Sequence, residues 1–215
     1  MTDTMRLPVH NGHLMVAALK RHHDKPVMQL GGTTLTGQQT ADRISQYIQA
    51  FEQVSTAPSA LLAPNRPEVL YILGAGQTQG YRRTSLHPLG SADDHAYVID
   101  DAGITTLIVD PVFTDRAVEL LERCPGLDTV LTIGPVPDAL AGRAQDLIEL
   151  AAVCEVRPLT ARDLPPDHIV SIAYTGGTTG KPKGVIGTAL AMNTMAQIQL
   201  AEWEWPVEPR FLMCT

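Results

Sequence analysis

The sequence predicts an α/β protein: a mainly parallel sheet flanked by helices on both faces. Three observations carry that expectation. Apolar, β-type runs alternate along the chain with stretches of helical periodicity, the pattern of repeated strand–helix–strand units. Residues 104–109 form an apolar, β-branched run, as expected of a strand buried on both faces. Residues 168–174 deliver a similar run straight into a glycine-rich loop.

The elements follow in chain order. Asn11 is expected to cap a first helix reaching about Arg21. Residues 27–30 and 33–36 read as a small hairpin about Gly31-Gly32. Thr36-x-x-Gln39 has the form of a capping box, and the helix behind it sets Ala41, Ile44, Ile48 and Phe51 on one face. A short apolar strand follows at residues 59–63. Asn65 is the expected cap of the next helix, with Pro67 in the first turn, where a missing N–H costs little. That helix should stop near Gly80, and residues 81–86 read as a strand. Ser91-x-x-Asp94 opens another helix, its acids at the positive end of the dipole, and Gly103 is placed to end it.

Beyond the strand at 104–109, Thr114 is expected to cap a helix to about Arg123. A buried strand at 129–133 and a helix around 139–152 complete this half. Pro158, Pro165 and Pro166 mark residues 157–167 as a connector. Residues 1–157 are therefore read as an N-terminal α/β subdomain, and 158–215 as the start of a second α/β portion. Past the glycine-rich loop, Val185-Ile186 reads as a short strand and residues 188–203 as a helix, with Leu190, Met195, Ile198 and Ala201 among its apolar positions. Residues 210–215 look like a strand just begun, which suggests a longer protein.

Composition narrows the function classes. A chain of 215 residues can bury a sizeable core. With 44% hydrophobic and 18% charged residues it is not disordered. A net charge of −7, with only short basic spots at Lys20-Arg21 and Arg82-Arg83, speaks against a nucleic-acid surface. Any anion must then be met by a local site. The three cysteines, Cys124, Cys154 and Cys214, lack Cys-x-x-Cys spacing and read as buried thiols of a reducing compartment. No transmembrane run of about 18 apolar residues is present, nor a signal-peptide cleavage pattern; the expected location is cytoplasmic. His10, His13, His22 and His23 lack ordered ligand spacing, and no G-x-S-x-G elbow occurs. His168, Trp203 and Trp205 are expected to serve packing.

The chemistry concentrates in Tyr174-Thr175-Gly176-Gly177-Thr178-Thr179-Gly180-Lys181-Pro182-Lys183-Gly184-Val185. The glycines let backbone N–H groups converge on an anion. Thr175, Thr178 and Thr179 add hydroxyl donors, two lysines add charge, and Pro182 stiffens the exit. Phosphate is the anion that uses so many short donors. A Walker loop, G-x-x-x-x-G-K-[ST], fails twice: Thr175 stands where its first glycine belongs, and Pro182 follows Lys181 where a Mg²⁺-binding hydroxyl is needed.

This segment resembles the signature phosphate loop of the adenylate-forming enzymes, the superfamily of acyl-CoA synthetases, luciferases and nonribosomal-peptide adenylation domains. Their loop reads Tyr-Thr-Ser-Gly-Thr-Thr-Gly-x-Pro-Lys-Gly, and the chain departs from it only in Gly176, a glycine also seen in bacterial fatty-acid–CoA ligases. Other segments are similar in order and spacing: Leu35-Thr36, Leu62-Ala63-Pro64-Asn65-Arg66-Pro67-Glu68, His87-Pro88-Leu89 and Leu107-Ile108-Val109-Asp110. Two places depart. Residues 76–83 lack the usual A-G-A-V-x-V-P, and Gly187-Thr188-Ala189 replaces a common Thr-His pair.

The resemblance implies ATP-dependent activation of a carboxylic acid, most like a fatty acid, to an acyl-adenylate and then a thioester, with ATP, Mg²⁺ and coenzyme A as cofactors. The acceptor is left open between coenzyme A and a carrier thiol, and a homodimer is admitted. By position, Gly176, Gly177 and Gly180 would let backbone approach the β- and γ-phosphates. Thr178 and Thr179 would donate hydroxyl bonds, and Lys183 would neutralise pyrophosphate. Thr175 would touch Mg²⁺, Gly184 would belong with the nucleotide-binding residues, and Lys181 would face solvent. The family's acidic Mg²⁺ ligand, adenine and ribose contacts, hinge and C-terminal lysine would lie past Thr215, so this chain alone is expected neither to adenylate nor to form thioester. The rival reading is a non-catalytic module that binds nucleotide or a partner chain.

Overall fold

The computed structural model describes residues 10–175, 181–206 and 209–211. Helix α1 (Asn11–Arg21) leads into a hairpin of β1 (Pro26–Leu30) and β2 (Thr33–Thr36), which turns at Gly31. There follow α2 (Gly37–Val54), β3 (Ser59–Leu62), α3 (Pro67–Gln79), β4 (Arg83–Ser85), α4 (Ala92–Asp101) and β5 (Thr106–Val109). The rest comprises α5 (Thr114–Arg123), β6 (Thr129–Thr132), β7 (Ala144–Asp146), α6 (Leu147–Ala152), β8 (Ile169–Thr175), β9 (Lys183–Thr188) and α7 (Ala189–Glu202).

Seven strands form one sheet in the order β7-β6-β5-β3-β4-β8-β9. Every neighbouring pair is parallel except β8–β9. Because side chains alternate across a strand, each buried strand feeds two cores. Leu61, Ile108 and Leu131, aligned in register, pack with Ile44, Phe51, Ile72 and Leu147 of α2, α3 and α6. Leu62, Leu107, Val109 and Val130 pack on the opposite face with Val98, Ile99 and Leu120 of α4 and α5. Each such side chain contributes about 1.5–3 kcal/mol of burial. Two covered faces are the physical reason for an uninterrupted apolar run.

Caps decide where the helices begin. Thr36 and Gln39 make the expected capping box, with Gln39 N–H donating to Thr36 Oγ1 at 3.2 Å and Thr36 N–H to Gln39 Oε1 at 2.9 Å. Ser91 caps α4, and Gly80 ends α3 at φ 77°. Three expected caps lie one residue away from the observed ones. His10, not Asn11, caps α1, its Nδ1 accepting from Gly12 N–H at 3.0 Å. Arg66, not Asn65, precedes α3, with Pro67 at its first position. Phe113, not Thr114, precedes α5, where the Thr114 hydroxyl donates to the Pro111 carbonyl at 2.6 Å.

The single helix expected over residues 139–152 is instead a short 3-10 turn (Asp138–Leu140), the edge strand β7 and α6. Gly142, at φ 73°, breaks the helical path. Asp146 then caps a new helix, accepting from Ile148 N–H at 2.8 Å.

The proline-rich connector lies along α1 and α3. Arg162 N–H donates to the Thr78 carbonyl at 2.8 Å, and Gln79 Nε2 to the Thr160 carbonyl at 2.8 Å. His168 serves structure as expected, its Nε2 lying 2.7 Å from the Gly80 carbonyl. From there β8 joins β4, so the sheet runs unbroken past the connector.

Candidate nucleotide site

Strands β3, β4, β5 and β8 all point their carboxyl ends to one edge of the sheet, the edge where open α/β sheets take ligands. Strand β8 ends there at Thr175, and the chain returns as β9 with Thr175 opposite Lys183. The hairpin therefore pins both flanks of the glycine-rich loop. Gly176, Gly177, Thr178, Thr179 and Gly180 lie outside the described residues. Thr175, Lys181, Lys183 and Gly184 are all exposed at the hairpin's end.

Gly184 has a packing reason. It stands opposite Tyr174, and a Cβ there would meet Ile172 Cγ2 at 2.9 Å and the Tyr174 ring at 3.1 Å. Only glycine lets the ring lie against the returning strand. The Tyr174 hydroxyl donates to Asp101 Oδ2 of α4 at 2.5 Å, and the Tyr97 hydroxyl to Asp101 Oδ1 at 3.5 Å. The two rings meet edge-to-face, 6.4 Å apart. Burial, reinforced by the Asp101 carboxylate, pushes the Tyr174 phenol well up, so it remains a donor at neutral pH. The Lys181 ammonium lies 4.9 Å from the centroid of the Tyr97 ring, within cation–π reach although exposed. Tyr97 and Asp101 thus fix the root of the loop. Their only trace in the sequence is a tyrosine and an acid four residues apart on one helix face.

The donor set suits a polyphosphate. Two ammonium groups flank Pro182 beside the carboxyl end of a parallel strand, and the Thr175 hydroxyl supplies a hard oxygen. Among the described residues no group of three His, Cys, Asp or Glu side chains could hold a metal. From these residues a Mg²⁺ ion would find the Thr175 hydroxyl, beside the phosphate and water oxygens that this ion commonly keeps.

A third cation on the same edge is already neutralised. Arg66 donates through Nε to Glu68 at 2.7 Å and through Nη1 to Asp110 at 2.6 Å and to the Ile133 carbonyl at 2.8 Å. The segments ending β3 and β5 are thereby tied together. Trp203 and Trp205 lie against each other with centroids 5.5 Å apart, but they are 54% and 37% exposed, so the expected packing is only partial.

A family model described as AMP-binding enzyme matches residues 15–215, and the chain belongs to that family. The medium/long-chain-fatty-acid–CoA ligase of Mycobacterium tuberculosis is 62% identical over 218 residues, covering 99% of this chain and 38% of that protein. Long-chain-fatty-acid–CoA ligase 5 of Rattus norvegicus is 30% identical over 138 residues, 60% of this chain and 20% of that one. The anthranilate CoA ligase AuaEII, solved with anthranoyl-AMP, superposes with a TM-score of 0.80 at 19% identity, over 92% of this chain and 38% of its own, a likeness of fold. The chain spans well under half the length of these relatives.

Proposed function

We propose that this chain supplies the phosphate-loop portion of an ATP-dependent acid–thiol ligase that converts a fatty acid to its acyl-adenylate and then to the coenzyme A thioester. The observation that carries the reading is the β8–β9 hairpin. It presents Thr175, Lys181 and Lys183 beside one another at the ligand-taking edge of the sheet. Identity of 62% to a protein named as a medium/long-chain-fatty-acid–CoA ligase supports the choice of acid.

In this reading Gly176, Gly177 and Gly180 let backbone N–H groups reach the phosphates, and Thr178 and Thr179 donate through their hydroxyls. Bound ATP·Mg²⁺ would supply the adenylyl group: the carboxylate oxygen bonds to the α-phosphorus as the bond to pyrophosphate breaks. The Lys183 ammonium would neutralise the negative charge that grows as pyrophosphate departs, and a fixed cation at that point lowers the barrier. Thr175 would help hold the metal, and Gly184 keeps the hairpin tight against Tyr174. Residues 158–215 form the start of a second portion of the enzyme, and the protein works in the cytoplasm. The buried free thiols of Cys124 and Cys154 suit a reducing compartment. Among the described residues no helix is long and apolar enough to cross a membrane.

The test is fatty-acid-dependent ATP–pyrophosphate exchange by the complete protein. Lys183→Ala should lower the exchange rate about 100- to 1000-fold, the range for loss of one electrostatic group at a reacting centre. Unchanged exchange rejects the assignment. A calorimetric titration with ATP·Mg²⁺ separates lost binding from lost chemistry.

A further inference from the structure

Helix α4 contacts both flanks of the glycine-rich segment. Asp101 Oδ2 accepts at 2.5 Å from the hydroxyl of Tyr174, the residue before Thr175. Asp101 Oδ1 accepts from the Tyr97 hydroxyl at 3.5 Å. The Tyr97 ring meets two partners. One is the Tyr174 ring on the entering strand β8, edge-to-face at 6.4 Å. The other is the Lys181 ammonium on the returning chain, 4.9 Å from the centroid.

Stability of the fold does not account for this arrangement. Asp101 is exposed and is the last residue of α4. A carboxylate there faces the negative end of the helix dipole, and the last turn holds no basic residue to offset it. Arg82 reaches that helix end but donates to the Ala102 and Gly103 carbonyls. Among the described residues no cation forms an ion pair with Asp101. The strong partner of this acid is the Tyr174 phenol, through a short, charge-assisted bond. Gly184 clears room for the same phenol from the other side, since a Cβ there would sit 3.2 Å from its oxygen. The phenol is thus set between α4 and β9, at the point where the glycine-rich segment begins.

We propose that Asp101 and Tyr97 are positioning residues for acid activation. Asp101 sets the entering flank through Tyr174, and the Tyr97 ring holds the Lys181 ammonium on the returning one. The inference rests on the ligase reading of this site. Both residues act through their neighbours and not on the substrate. Groups that stabilise a departing pyrophosphate must be held closely, and a misplacement of about 1 Å can cost roughly 100-fold in rate. The two residues therefore act on the barrier to activation more than on the affinity for ATP.

The experiment is fatty-acid-dependent ATP–pyrophosphate exchange by the complete protein, with kcat and the KM for ATP measured beside the denaturation midpoint. Asp101→Ala should lower kcat about 10- to 100-fold and change the KM for ATP less. Its midpoint should stay in place, because Asp101 is exposed. Asp101→Asn, which keeps an acceptor, should restore most of the rate. Tyr174→Phe should match Asp101→Ala, and the double variant should lose no more than either alone, since both remove one bond. Tyr97→Leu should lower kcat by a smaller factor, and Tyr97→Phe, which keeps the ring, should recover most of that loss. If wild type exchanges and Lys183→Ala does not, yet Asp101→Ala keeps its full rate, the ligase reading stands and this inference falls. A loss confined to the KM for ATP, additive losses in the double variant, or a rate that falls only in step with the midpoint also overturns it. A wild type without exchange removes the ligase reading and the inference with it.

Discussion

The centre of the sheet and its β8–β9–α7 flank are written in similar apolar residues, yet they end in different environments. Leu107, Ile108 and Val109 of β5 are fully buried, and β5 is paired along its length to β3 and β6. Val185 and Ile186 of β9 are 56% and 57% exposed, and Leu190, Met195, Ile198 and Leu200 of α7 are about as open. Strand β8 meets β4 only at Arg83 and Ser171. An apolar run thus becomes core only where helices cover both faces of its strand. The flank instead uses its hydrogen bonds to pin the two ends of the glycine-rich segment, Thr175 opposite Lys183, at the edge. The centre supplies the packed base from which that hairpin projects.

The sharpest way to break this contrast is Leu107→Ala. It removes a fully buried side chain from the α4–α5 core and should cost about 2–5 kcal/mol. A chain of this size should then melt several degrees lower, at about 2–4 °C per kcal/mol. Chemical denaturation followed by circular dichroism measures both. A cost near zero would mean that the centre is no better packed than the flank.

Asp110→Ala should come next, at about 2 kcal/mol. Asp110 accepts Arg66 Nη1 and also caps the turn after β5 through Val112 N–H at 2.9 Å. Its loss leaves the half-buried Arg66 guanidinium with Glu68 and the Ile133 carbonyl, and removes the side-chain tie between the segments that follow β3 and β5. Equal destabilisation by Asp110→Asn would show that charge, rather than the cap, carries the effect.

The dependence on pH is a subtler probe of the same region. His95, 2% exposed, holds the His87 carbonyl at 2.9 Å through Nε2 and faces Arg116 Nη1 at 3.0 Å through Nδ1. Burial, with a smaller contribution from Arg116, holds its pKa below 6.5 against the opposing pull of the His87 bond. His10 shifts the same way, mainly by burial. A lowered folded pKa means the unfolded chain takes the proton first. Stability from both groups is therefore complete above the unfolded value of about 6.5 and falls as pH drops through the window below it. Denaturation midpoints on either side of that value should show the loss, and His95→Gln should flatten it. A wild-type midpoint that is constant across the window contradicts the neutral, buried assignment.

Much of this organisation was legible locally. Capping at Thr36, the stop at Gly80 and the two-faced burial of β5 follow from residues within a few positions of each other, where backbone geometry alone decides. Most of the readings that failed depend on partners far along the chain; the exception is Thr114, whose hydroxyl bonds the Pro111 carbonyl three residues before it. His10 caps α1 although Asn11 is the commoner capping type, and the Arg162 carbonyl, 152 residues away, holds its ring through Nε2 at 2.7 Å. Arg66 is fixed by Asp110, 44 residues on. The helix expected over 139–152 looked continuous because alanine and leucine dominate it, and pairing of Val130 with Ala144 is what turns its middle into an edge strand. At the candidate site the phosphate loop was legible as a motif. Tyr97 and Asp101 were not, because their meeting with Tyr174 exists only once α4 has packed against β8.

The smallest expected effect tests the flank itself. Ile198→Ser replaces an apolar side chain on α7 that is already 55% exposed. By burial alone it should change the stability of this chain by no more than about 0.5 kcal/mol, as surface substitutions generally do. The same change in a fully buried strand position would leave an unsatisfied hydroxyl and a cavity together, at several kcal/mol. The pair Leu107→Ala and Ile198→Ser, measured in one denaturant series, therefore reads the contrast directly. A cost for Ile198→Ser approaching that of Leu107→Ala would mean that α7 is covered in solution, and that its open apolar face is a contact surface in use.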